Sequence, residues 1–325
     1  MNDNQAKNFV KKIASEIYLN KKKELMNRDI RLIINLLIKL SILFLIIFFE
    51  NKFNFYFKTL LVLLCGIIHY HFIVAIHECM HSSFFFKKKL NKTIGEVLSY
   101  LEYGIFEVFQ ETHINHHNTY LTKKDPDKNY YNYKKNYFKN SNKIKLILNI
   151  FLKSFPFFNF REKILRCFSF SFLNNDQINK NQKLPKFSLF KLLSLHLLLY
   201  LFIFKLSGQY QYFLYWMLPS FFISRFLSNL RITAEHGGKK EKLHASPFSA
   251  RTTFNCNNNT FLNLEKTILS PYGFNFHHEH HICPYLPFVI LEQVHRKLVK
   301  LNYYNLNKDK NILNSSYLNF YFKNE

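Results

Sequence analysis

The chain has 325 residues, a net charge of +24, 18% aromatic side chains with 38 Phe, and only 7 Gly and 8 Pro. Its basic excess raises the question of nucleic acid, but the lysines are scattered between apolar runs, and no helix-turn-helix, RNA-recognition or Cys-His finger spacing occurs, so no nucleic-acid partner is expected. The 5 cysteines, Cys65, Cys79, Cys167, Cys256 and Cys283, are dispersed without a CxxC pair; this argues against a disulfide framework or a cysteine zinc site and points to a reducing compartment for the soluble part.

The N-terminal stretch (MNDNQAKNFVKK) starts polar with no early apolar run, so it does not read as a cleavable signal peptide. The residues before Arg31 read as a solvated amphipathic helix. A membrane span needs ~20 mostly apolar residues. Four stretches approach that: 31–49, with Lys39 inside it; 57–76; 187–206; and 210–227, the weakest, with Arg225 near its end. The connections ENKFNFY and SGQYQ are too short for another element, so the four make two hairpins. Buried core helices of a soluble protein fit that arrangement less well. Both connections are nearly free of Lys and Arg, whereas the N-terminus, 77–186 and 231–325 carry almost all of them. The positive-inside rule then puts the termini and both long segments in the cytoplasm, where scattered basic loops can rest on anionic lipid. Residues 143–160 mix apolar and basic side chains and read as a helix lying in the interface. The Asn- and Lys-rich tail after Tyr304 reads as weakly ordered. The expected fold is an all-α, multi-pass integral membrane protein: four transmembrane helices in two hairpins below a cytoplasmic helical cap, one domain over 1–325.

Of the 15 histidines, eight fall into three clusters. HECMH supplies His77 and His81 at the end of the second span; HINHH supplies His113, His116 and His117; HHEHH repeats that spacing with His277, His280 and His281. Positions i, i+3 and i+4 share a helix face, so each cluster aims its imidazoles one way. Neutral imidazole ligates iron or zinc well. Eight imidazoles exceed the needs of one tetrahedral ion and match two metals of higher coordination number. HECMH also fits HExxH, the zinc-protease motif with Glu78 as general base. An intramembrane metalloprotease is therefore an alternative, one that leaves the other two clusters without a role. A metal transporter is another, although transporters place their ligands near mid-membrane. His278 points ~100° away from His277 on a helix and is not expected to be a ligand. His69, His71 and His196 read as neutral histidines hydrogen-bonded between helices, and His244 and His295 as solvated.

With its three boxes in this order, the chain resembles the integral-membrane fatty-acid desaturase family over about residues 31–287. HHNTYLTKKDPD resembles the family's second box with its Asp-Pro-Asp turn, and NFHHEHHICPYLP resembles the third. RITAEHG, with Arg231, Glu235 and His236, resembles a stretch that adds a histidine ligand in related enzymes. The resemblance implies a di-iron centre cycling between Fe2+ and Fe3+, held by His77, His81, His113, His116, His117, His236, His277, His280 and His281, with no catalytic residue beyond these ligands. It also implies O2 as co-substrate, an acyl tunnel, and a membrane lipid or carrier-bound acyl chain as substrate. The reaction implied is insertion of a double bond, and related hydroxylases and carotenoid ketolases use similar boxes. No haem signature, GxGxxG loop or cysteine cluster is present, so electrons are expected from an external donor of the ferredoxin or cytochrome b5 type.

Overall fold

A computed structural model describes residues 3–127, 143–155, 187–237, 242–245, 250–252, 260–306 and 316–322. Cys167, Cys256 and the end of the expected interfacial helix, 156–160, lie outside them; Cys65, Cys79 and Cys283 are free and buried. The described elements are helical, with no strand among them. In chain order the longer ones are α1 (Asp3–Met26), α2 (Asp29–Phe49), α3 (Phe55–Met80), α4 (Lys88–Leu101), α5 (Phe106–Thr119), α6 (Lys143–Ser154) and α7 (Ser188–Ser207). There follow α8 (Gln209–Tyr212), α9 (Ser224–His236), α10 (Thr260–Leu269), α11 (His277–Ile282), α12 (Phe288–Lys300), α13 (Tyr303–Leu306) and α14 (Tyr317–Phe322).

Among the described residues, three helices are long and apolar enough to cross a membrane: Asp29–Lys52, Phe55–Met80 and Ser188–Ser207. Only 22% of the apolar window is buried in the first and third, against 61% in the second. Thus α3 is the central post, while α2 and α7 present Leu37, Leu45, Leu197 and Leu201 outward, where lipid would cover them. The fourth apolar stretch, 210–227, is also helical, but π-helical turns over Phe213–Met217 and Pro219–Ile223 separate α8 from α9. Pro219 offers no backbone N–H to an i→i−4 ladder, which favours such a departure. No single α-helix there reaches membrane length. Short turns join these helices in pairs. Asn54 caps α3 by accepting from Phe57 N at 2.9 Å, and Gly208, at φ 110, turns α7 into α8 in a conformation that a side chain would strain.

Several polar side chains inside the helical packing are paired. His69 Nδ1 lies 2.7 Å from Glu102 Oε1, and Ser220 donates to Glu102 Oε2 at 2.8 Å. His196 bridges the Tyr212 hydroxyl at 2.9 Å and the Tyr100 carbonyl at 2.8 Å, the interhelical role expected of it. Lys39, the one charge within the first apolar stretch, donates to Tyr272 Oη at 2.6 Å and sits 4.5 Å from that ring's centre. Tyr272 itself adopts φ 59 in the turn before α11, so α2 braces the approach to the third box.

Two expectations for the termini are corrected. The helix α1 is not merely solvated: Ala6, Val10, Ile13 and Ala14 form a buried stripe against Cys283, Val294, Leu298 and Tyr303. The tail also contributes order, because α14 buries Tyr317 and Tyr321 against Leu146, Ile150 and Ala234. At the α1–α2 junction, Arg28 donates to the carbonyls of Ser83 and Phe84, both at 2.7 Å. The neighbouring Asp29 accepts from Phe86 N and Lys87 N at 2.7 and 3.0 Å. Together they clasp the loop after the first box.

Two helices approach closely at Gly66, where a Cβ would lie 2.3 Å from Ile223 Cγ2. Ile223 is β-branched and stiff, so it cannot simply turn aside. Gly66→Ala is expected to cost ~1–3 kcal/mol through overpacking, read as a lower Tm in detergent; an unchanged Tm would mean that the two helices separate freely.

Candidate metal centre

The three boxes arrive on three helix ends. His77 and His81 sit at the C-terminal end of α3; His113, His116 and His117 are on α5; His277, His280 and His281 are on α11, a helix short enough that most of its side chains are box residues. His236 ends α9, where Gly237 N returns to Thr233 O at 2.7 Å. Facing each other, these helices gather the nine predicted histidines into two adjoining sets.

In the first set, ring nitrogens of His77, His81, His113, His117 and His280 lie within 4.8 Å of one another. The second is built from His116, His236, His277 and His281, with Glu235 at its edge. His277 Nε2 stands 2.9 Å from His236 Nε2 and 3.0 Å from His281 Nε2. A single ring N–H cannot make good hydrogen bonds to both neighbours, so the convergence needs a cation or leaves lone pairs facing each other. Both ring nitrogens of His81 and of His280 are buried with no hydrogen-bond partner, as is Nε2 of His77. Unsatisfied buried nitrogens at this density fit bound metal.

Protonation favours the same assignment. Burial, reinforced by the neighbouring imidazoles, holds His113, His117, His236, His277, His280 and His281 well below the usual histidine range, and takes His81 down to about 3. Neutral rings keep their lone pairs for a metal. His116 differs. Burial again pulls it down, but Asp125, 2.8 Å from Nδ1, outweighs burial and raises it. Asp125 is held in turn by the backbone N–H groups of Leu121 and Asp127 at 3.2 and 2.9 Å. With Nδ1 committed to Asp125, Nε2 of His116 is left for the second set.

Several supporting groups were not singled out by spacing. Asp125 belongs to the Asp-Pro-Asp turn, whose function as a ligand support no periodicity reveals. Glu235 accepts from Arg231 Nη1 at 2.5 Å and from Tyr317 Oη at 2.8 Å, and its Oε2 is 3.5 Å from His277 Nε2. Burial pushes its carboxyl up to about 8 against the pull of Arg231 and Tyr317. Glu78 is buried, takes the Ser83 hydroxyl at 2.7 Å and touches His77 at 3.2 Å. His278 points away from both sets, as its position on the helix requires, and is buried: Nδ1 meets Ala250 O at 3.0 Å and Nε2 meets Tyr303 Oη at 3.1 Å. His244 is exposed, as expected. His295 is not. It is fully buried, 2.6 Å from Glu279 Oε1, and it also contacts Tyr304. The expectation of a solvated His295 failed because the residue continues the buried stripe Leu291, Val294 and Leu298 on α12. Burial would raise the Glu279 carboxyl, but His295 and Thr252 together take it down to about 2. That anion braces the back of the third box.

A cavity of about 230 Å³ opens beside the histidines. His77, His113, His236 and His277 line it together with Val108, Phe109, Tyr103 and Phe221. A protein-family model described as fatty acid desaturase matches residues 55–307. Comparison with curated proteins gives no match.

Two outcomes test this reading of the centre. After dialysis against a chelator, Asp125→Asn is expected to retain iron ~10- to 100-fold more weakly. His280→Ala should lose metal from the first set, while His278→Ala loses stability but keeps its metal content; loss of metal in His278→Ala alone would overturn the assigned register. The second outcome concerns pH. An unfolded histidine titrates near ~6.5, and the depressed folded values mean that the folded metal-free protein binds fewer protons. The histidine contribution to its stability is therefore complete above ~6.5 and is lost as pH falls, with His116 and the raised carboxyl of Glu235 running the other way. The Tm of the metal-free protein should fall from about pH 7 to about pH 5, and less so with metal bound; a flat profile would contradict the buried, neutral cluster.

Proposed function

Because the chain belongs to the fatty acid desaturase family, we propose that it is an O2-dependent oxidoreductase that introduces a double bond into a lipid acyl chain. The observation that carries this reading is the convergence of nine histidines in two adjoining sets beside a cavity. In this proposal His77, His81, His113, His117 and His280 hold one iron, and His116, His236, His277 and His281 hold the other. When bound, the irons supply O2 activation and removal of hydrogen from an unactivated C–H bond. Desaturation removes two hydrogens from the substrate, takes two electrons from a donor and two protons from solvent, and yields two waters. The chain's own part is positioning and exclusion of water. Val108, Phe109, Tyr103 and Phe221 would flank the acyl chain, and the buried box would keep bulk water from the reacting carbons.

The full arrangement proposed is one membrane domain whose four spans form two hairpins, with the helical stretch 210–227 as the fourth, and with the histidines and both termini on the cytoplasmic side. The three membrane-length helices and the family support it. Electrons would come from a separate ferredoxin or cytochrome b5, attracted by the net charge of +24. A hydroxylase or ketolase would use the same metal set, with the outcome decided by how the substrate lies in the cavity. A zinc protease would use His77 and His81 alone and would leave the rest of the gathered imidazoles idle.

Expression in a host that lacks the protein, followed by mass spectrometry of its lipids, tests the reaction. New acyl chains short of two hydrogens should accumulate with the wild type and vanish with His280→Ala. Chains that gain oxygen instead would assign a hydroxylase or ketolase. Unaltered lipids alongside a single bound zinc would remove the desaturase reading.

A further inference from the structure

Charges lining the cavity are answered within the protein with one exception. Arg231 pairs with Glu235 at 2.5 Å and lies 4.0 Å from the centre of the Phe274 ring. Glu102 is engaged by His69 and Ser220. Arg225 also lines the cavity, yet among the described residues it has neither an acid partner nor a hydrogen bond, and its Nε is buried without an acceptor. It stands one residue into α9, next to the π-helical turns, in a stretch otherwise apolar enough for a membrane. A cation in such a place is costly and in general marks a binding function. Ser228 and Asn229 from the same helix, and Lys153 and Ser154 from α6, line the cavity beside it, with Asn229 Nδ2 donating to Ser154 Oγ at 3.0 Å. Lys153 is exposed and lies at the end of α6, so this part of the cavity meets the surface between α6 and α9.

We propose that Arg225, with Lys153 beside it, is the anion clamp of this cavity and holds the carboxylate or phosphate headgroup of a single-chain lipid. The inference rests on the lipid-oxidising reading and names the chemistry of the substrate's head. Guanidinium presents a planar fork of donors that fits both anions, and its own vacant donor is then satisfied. Arg225 and His236 stand near opposite ends of α9, ~17 Å apart at ~1.5 Å of rise per residue. A head held at Arg225 therefore places the middle of the chain, rather than the carbons next to the head, before the histidines. Selection between lipids then depends on the head's charge as well as on the chain's length.

The test is equilibrium binding to the full-length, iron-loaded protein in neutral detergent, with three radiolabelled probes of equal chain length: palmitate, 1-palmitoyl lysophosphatidate and hexadecanol. The wild type should bind at least one anion more tightly than the alcohol. Arg225→Gln should weaken that anion by about tenfold or more and leave hexadecanol unchanged, and Arg225→Lys should recover part of the loss. Whichever anion responds identifies the head, a free carboxylate or a lipid phosphate. Wild-type protein that binds hexadecanol as tightly as both anions overturns the proposal, whether or not Arg225→Gln folds. So does a parallel loss of all three ligands in Arg225→Gln, which would make the residue structural. Binding is read without turnover, so a protein that selects anions through Arg225 yet makes no double bond keeps the clamp and loses the desaturase assignment.

Discussion

Burying nine imidazoles within a few ångströms of one another is the constraint on which the rest of this structure depends. Protonated, they would repel each other in a low-dielectric setting; neutral and empty, they leave lone pairs unanswered. A pair of metal ions would resolve both problems, and the converging atoms are ring nitrogens with the Glu235 carboxylate at their edge. Helix ends deliver them because a helix end can place two or three side chains on one face and then let the backbone turn away. The heavily buried α3 anchors the first box, and the other boxes are assembled against it.

Charged groups surround this neutral centre as supports. Asp125 steadies His116; Glu279, itself braced by His295, Thr252 and Tyr304, sits on the far side of the third box; and Glu235 is held between Arg231 and Tyr317. The acids are thus kept one layer outside the imidazoles, with Glu235 nearest.

Much of this was legible in the sequence, because the periodicities involved are local. The i, i+3, i+4 spacing of the second and third clusters, the HxxxH of the first, and the apolar runs each depend on one stretch of chain. His236 was not legible that way; its candidacy came from the resemblance of RITAEHG, and the structure brings it within 2.9 Å of His277. What escaped were contacts between distant stretches. Tyr317 reaches Glu235 from a tail that looked unstructured, and α1 packs on α12 through a stripe of small and branched residues that reads equally well as an exposed amphipath. His295 was misjudged because histidine is an ambiguous member of an apolar stripe, and only the presence of Glu279 opposite explains its burial.

The π-helical turns ahead of α9 bear on how the chain can change in length. A π-turn accommodates a residue more than an α-turn does, so each acts as a built-in insertion within a stretch that reads as plain apolar helix. Straightening one of these turns to α-helix with every residue kept would swing everything beyond it by ~100°. Arg225, Arg231, Glu235 and His236 would all turn with it, and His236 would leave its neighbours. Substitution in this stretch is constrained chiefly by lipid compatibility and by the Gly66 contact, whereas insertion and deletion are constrained by the distant histidines. Tolerance to changed letters and tolerance to changed spacing are thereby uncoupled, and the segment with the blandest composition sets the reading frame of the metal centre.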